Sequence, residues 1–274
     1  MRTTSLLFTL SFAALVGCGE KDVTDDSSVD DTEADADTDT DTDTDTDADT
    51  DVEDMAAMSG SVIDGAGAGV EGARVNLCKE VCRTVMTDST GAFDFPNFEA
   101  DWVHAFDVID PSGTYLAPLT LVRAEKDENR TGVAVTMLPP DATATIPSGA
   151  ASDVDLCGVT LTVSVDELTL PFGTDGEAGA CAFVPESAWI PWDELPGTAV
   201  AVWYLAPFDA VSEDGLEFSI NNAHVGLADG TYHAYAAEYA HTEWSDAGEI
   251  TVSGDSITSD GKLHVLSTLI IVQE

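Results

Sequence analysis

The stretch Thr87-Asp88-Ser89-Thr90-Gly91-Ala92-Phe93-Asp94-Phe95 decides the fold of this chain. Asp88 opens a tight turn because its carboxylate can accept from backbone amides just ahead, and Gly91 closes the turn where the backbone needs positive φ. Apolar and polar residues then alternate, so Phe93 and Phe95 share one face of a strand and point to a core. Outward in both directions the same texture repeats, with short β-branched runs punctuated by Gly, Asp and Pro. Upstream stand Ser61-Val62-Ile63-Asp64, the run 72–78 ending in Cys78, and the run 82–87 starting at Cys82. Downstream, 103–109, 115–123 and 132–138 read as further strands.

The pair Pro139-Pro140 marks a boundary, and the remainder is again strand-like at 159–165, 199–205, 216–220, 231–239, 249–252 and 263–272. No run keeps a helical period over three turns. The expectation is an all-β protein of two β-sandwich domains, residues 57–140 and 141–274.

Several pieces of the first domain carry a resemblance: Gly60-x-Val62, Val70-x-Gly72-Ala73-x-Val75, Thr87-Asp88-x-x-Gly91-x-Phe93-x-Phe95 and Asn97-Phe98. In order and spacing they resemble the carboxypeptidase regulatory-like domain over residues 57–140. The resemblance implies a seven-stranded, transthyretin-like sandwich that accompanies enzymes and surface proteins as a folding or binding unit and supplies no catalytic residues. In the second domain, Leu205-Ala206-Pro207-Phe208, Leu216-x-Phe218-x-Ile220 and Trp244 bear a fainter resemblance to the spectrin-binding sandwich of ankyrins and netrin receptors.

The amino-terminal end gives an address. Arg2 precedes an apolar run, 6–16, of about 11 residues, the length of an export signal and short of the ~20 residues that span a bilayer. The run ends in Leu15-Val16-Gly17-Cys18, which resembles the lipobox of bacterial lipoproteins. That resemblance implies removal of residues 1–17, lipid attachment at Cys18, and, with Gly19 rather than Asp next, an outer-membrane protein facing the periplasm or the cell surface. Residues 18–56 are dominated by Asp alternating with Thr and hold almost nothing apolar. Such a segment cannot offset its conformational entropy, so a disordered, charge-extended tether is expected.

The chain carries 52 Asp and Glu against 9 Lys and Arg, a formal charge of −43. Nucleic acid is excluded as a partner, because phosphate binding requires a basic footprint. With Cys18 lipidated, Cys78, Cys82, Cys157 and Cys181 remain and allow three pairings. Cys78–Cys82 with Cys157–Cys181 keeps each bridge inside one domain and is the expected pairing. A zinc site at Cys78-x₃-Cys82 lacks a second ligand pair nearby.

Hydrolase, phosphate-binding and dinucleotide motifs do not occur, so no catalytic residue and no cofactor is expected. The one tempting constellation lies on a strand read through 232–244, with His233, Tyr235, Tyr239 and His241 on one face. Such a face can stack on sugars or on a protein partner. It cannot hold a metal while the strand is continuous, since eight residues separate the two imidazoles by about 26 Å. The function expected is a membrane-anchored, non-catalytic binding or scaffolding lipoprotein. Carbohydrate recognition and an accessory role beside an extracellular hydrolase are the alternatives.

Overall fold

The computed structural model describes residues 54–171, 176–190 and 192–273. Cys18 and the acidic segment up to residue 53 lie outside the described residues. The fold is all-β, with 59% of the described residues in strands and 5% helical.

The first half contributes β1 (Met55–Asp64), β2 (Arg74–Cys78), β3 (Cys82–Met86), β4 (Ala92–Glu99), β5 (Val103–Ile109), β6 (Leu119–Arg123) and β7 (Asn129–Met137). They form two sheets, β4-β1-β7 and β3-β2-β5-β6. The turn before β4 works as its residues dictate. Asp88 Oδ1 accepts from the amides of Thr90 (2.8 Å) and Ala92 (3.0 Å), and Gly91 sits at φ 79°. A Cβ on Gly91 would stand 2.1 Å from the Val62 carbonyl oxygen, so β1 can pass only over a glycine. Phe93 and Phe95 are buried edge to face, centroids 6.1 Å apart, with Met58, Val62, Val135 and Met137 of their own sheet. Val75, Leu77, Phe106 and Val108 close the core from the other sheet. Each such side chain contributes about 1.5–3 kcal/mol on burial.

The second half contributes β8 (Ala142–Thr145), β9 (Ser152–Leu156), β10 (Val159–Val163), β11 (Ala178–Phe183), β12 (Thr198–Ala206), β13 (Ala210–Asn221), β14 (Gly230–Glu238), β15 (Glu243–Ser253), β16 (Ser256–Ser259), β17 (Leu263–Leu266) and β18 (Thr268–Gln273). A single helical turn, α1 (Asn222–Val225), follows β13. The strands run β8-β11-β12-β18-β14-β15-β16-β13-β10-β9, with β17 pairing β13. This long sheet folds over its own core. Trp203, Ala234, Ile250 and Ile271 from one limb meet Leu161, Leu216, Phe218 and Ile220 from the other.

The run 263–272, expected as one terminal strand, is two. β17 pairs with β13, whereas β18 lies between β12 and β14. The switch falls at buried Ser267, whose carbonyl accepts from Leu205 N–H at 2.9 Å and whose Oγ donates to the Ala237 carbonyl. β1 also starts at Met55, two residues before the expected boundary.

Both disulfides join the expected partners. Cys78–Cys82 links the ends of the β2–β3 hairpin with Cα atoms 4.0 Å apart, and Cys157–Cys181 spans 5.9 Å.

The two halves meet along a buried seam. Leu116 packs with Tyr204, Tyr235 and Ile270, and Leu119 packs with Ala237. Leu119 N–H donates to Thr268 Oγ1 at 2.9 Å. A strap between β11 and β12 reaches back across the seam and places Ile190, 3% exposed, in the core of the first half. Asp193 on that strap pins it: its carboxylate accepts from Arg123 N–H (2.7 Å) and Arg130 Nη1 (2.5 Å), and its carbonyl from Trp244 Nε1 (2.9 Å).

Candidate functional site

The structure separates the four residues that sequence reasoning put on one face. β14 is an inner strand between β15 and β18, and it ends at Glu238. The chain then turns through 239–242, with Thr242 at φ 51°, and returns as β15. The strand through 232–244 is therefore a hairpin, which corrects the continuous reading. Residues 231–244 hold no Gly, Pro, Asn or Asp, so no turn residue marked the reversal in the sequence.

Tyr235 is 9% exposed in the seam and stacks on half-buried His233, centroids 6.1 Å apart and planes 23° from parallel. Tyr239 is half-buried over the first half's disulfide, its hydroxyl 2.8 Å from Cys78 Sγ and 2.6 Å from Cys82 Sγ. His241 stands exposed in the turn, Nδ1 2.5 Å from Glu238 Oε1. These side chains serve packing at three places and a turn at the fourth, and they do not form one open surface. His233 and His241 lie on different parts of the hairpin.

Near Tyr239 the seam holds two acids, Asp107 buried and Asp209 partly exposed. Asp107 on β5 is 1% exposed; its Oδ2 accepts from Asn76 Nδ2 at 2.8 Å, and its Oδ1 has no hydrogen-bond partner among the described residues. Burial pushes its carboxyl up to about 7, and the neighbouring charge of Asp209 adds to that. Asp209 itself is raised to about 6 by burial and by Glu238. Burial also raises the Tyr239 hydroxyl, with Asp107 and Asp209 reinforcing it.

Sequence reasoning missed Trp102. It lies in the β4–β5 turn, after Asp101 at φ 61°, and is 55% exposed. Lys79 Nζ sits 3.4 Å from the centre of its ring and is held there by Glu99 at 2.8 Å. Trp102 borders an open cleft of about 360 Å³ with Asp54, Lys79, Glu99, Ala100 and Asp101. Behind it, His104 turns Nδ1 to the Trp102 carbonyl (3.2 Å) and stacks edge-on to Phe98, which fixes the turn that carries the indole. Burial lowers the affinity of that imidazole for a proton. The signal was available: an aromatic residue after Ala100-Asp101, outside any alternating run, has no core to enter.

A larger cleft, about 570 Å³, opens between β13 and the turn 165–167. Asp166, Glu167, Glu213, Asp214 and Glu217 line it, with Lys262 as its single cation. Such a wall repels anions. Elsewhere, Glu238, His241 and Glu243 gather at the β14–β15 turn, their ligand atoms all within 4.8 Å of one another.

No protein-family model and no curated protein matches the chain. Among solved structures it is similar to the Bacillus anthracis TIE protein, at 10% identity and a TM-score of 0.28, over 75% of this chain and 42% of that one. It thus spans less than half the length of that protein. It is also similar to a "putative carbohydrate binding protein" from Bacteroides uniformis, at 13% identity and a TM-score of 0.24, over 80% of this chain and 99% of that one.

Proposed function

We propose that the chain is a lipid-anchored envelope protein of the outer membrane whose β body binds or scaffolds a partner without catalysis. Anchoring rests on Leu15-Val16-Gly17-Cys18 after an apolar run too short to span a bilayer. Two acyl chains or more make such an anchor stable where one would not. The seven strands β1–β7 in two sheets support the reading of residues 57–140 as a carboxypeptidase regulatory-like module. Cys18→Ser tests the address: the protein should leave the membrane pellet or accumulate as precursor. Normal processing and membrane fractionation of the variant would defeat the reading.

Trp102 carries the binding half of the proposal and favours saccharides as its ligand class. An indole left 55% exposed beside Glu99 and Asp101 offers a flat apolar plate next to carboxylates that accept from hydroxyls. Lys79 and His104 hold that plate in place, so little side-chain freedom remains to be lost on binding. A glycan array with the full chain should give signals that Trp102→Ala removes. Tyr235→Ala with Tyr239→Ala should act only through lost stability, because both rings are spent on packing. Equal binding by wild type and Trp102→Ala would remove saccharide recognition from this cleft.

A further inference from the structure

We propose that the β14–β15 turn is a divalent-cation site, with Glu238, His241 and Glu243 as its protein ligands and a borderline transition metal such as Zn²⁺ as its ion. Glu238 is the last residue of β14 and Glu243 the first of β15, and the two are register partners directly across the hairpin. Like charges in that position are destabilising unless something lies between them. Among the described residues, no Lys or Arg forms an ion pair with either glutamate; the only ion-pair contact at this turn is His241 with Glu238.

The donor set selects the metal. One imidazole nitrogen and two carboxylate oxygens lie within 4.8 Å of one another. An ion about 2.0–2.2 Å from each donor needs them roughly 3–4 Å apart. That is within reach of small rotations of the exposed His241 and Glu243 about the more buried Glu238. Three protein ligands leave a position for water, an arrangement that zinc accepts. Calcium and magnesium prefer sets made only of oxygen.

The site differs in kind from the acidic cleft beside β13, whose lining offers carboxylates but no imidazole or thiolate. It also lies where an ion would have a mechanical consequence. Tyr239, one residue past Glu238, touches the Cys78–Cys82 bridge, and Trp244, one past Glu243, bonds the strap at Asp193. A metal across this turn would clip together the two residues through which β14 and β15 hold the seam.

The test is a zinc titration of the metal-free full chain, following the five histidine rings by NMR. The first equivalent should shift the His241 ring, leaving His104, His224, His233 and His264 in place. Calorimetry should show one tight site that His241→Ala deletes and that Glu243→Gln weakens by about ten-fold or more. Diffuse binding by the acidic segment is common to all three proteins and cancels in the comparison. Zinc should also raise the melting temperature of wild type and leave that of His241→Ala unchanged, while both share one circular-dichroism spectrum without metal. The proposal is overturned if exposed His224 responds as early as His241, or if His241→Ala binds zinc as tightly as wild type.

Discussion

Residues 57–140 bury their core between two separate sheets of three and four strands, whereas residues 141–273 bury theirs inside one eleven-stranded sheet that folds over itself. The halves differ as much in charge. The first carries 12 acidic and 6 basic side chains, and the second, from 141 to the end, carries 22 and 1. Two basic groups of the first half reach across to the strap of the second: Arg123 pairs with Glu194, and Arg130, which also pairs with Glu128 of its own half, pairs with Asp193. The comparison teaches that the seam is made by what each half lacks. The second half lends the first an apolar side chain, Ile190, and the first lends the second its cations.

The largest effect should come from the core that depends least on the seam. Trp203 is fully buried, edge-on to Phe183 at 5.3 Å, and Trp203→Ala should cost about 4 kcal/mol in urea melts. A loss under about 1 kcal/mol would mean the folded-over sheet is not closed around this ring. Next come the bridges. Cys157–Cys181 closes a loop with a sequence separation of 24, and its replacement by alanines should cost about 3 kcal/mol. The Cys78–Cys82 ring has a separation of 4 and constrains the unfolded chain far less, so its loss should cost less. The reverse order would show that Tyr239's grip on the small ring outweighs chain entropy.

Ile190→Ala, in the strap of the second half, should remove about 2–3 kcal/mol from the unfolding of residues 55–137. Hydrogen exchange read at Val62 and Phe95 checks this, and protection unchanged there would break the shared-core account. Taken per pH unit, the smallest effect is the pH slope. Asp107 and Asp209 are raised to about 7 and about 6 in the folded protein, so between roughly pH 4 and 7 the folded state binds more protons than the unfolded one. Stability should be full at about pH 4, fall toward pH 7 and then level. One such group contributes at most about 1.4 kcal/mol per pH unit. Asp107→Asn should flatten part of the fall, and an unchanged slope would contradict the burial of that carboxyl.

Much of the first half was legible because its signals are local. Asp88 and Gly91 name their turn, and Phe93 and Phe95 name their face. The second half was legible only as strand. β8, with its Ala-Thr alternation, and β11, rich in Ala and Gly, carry too little apolar bulk to announce themselves. The mostly apolar run 263–272 has no sustained alternation, so only Ser267 and Thr268, polar and buried, hinted at the change of partner. The placement of the candidate residues was hidden for a related reason. A face of His and Tyr looks the same whether water or another half of the protein covers it, and Tyr235 is covered. The Glu238–His241–Glu243 group is made by a chain reversal that a continuous strand conceals.

The central claim is that the two halves are held as one body by the seam at Leu116, Leu119, Ile190 and Asp193. Hydrogen exchange across a denaturant series tests it most directly, comparing peptides around Val62 and Phe95 with peptides around Val202 and Ile271. The account predicts that both sets lose their last protection through one opening, with the same free energy and the same denaturant slope. Exchange of the first set through a smaller opening, while the second stays protected, would contradict it.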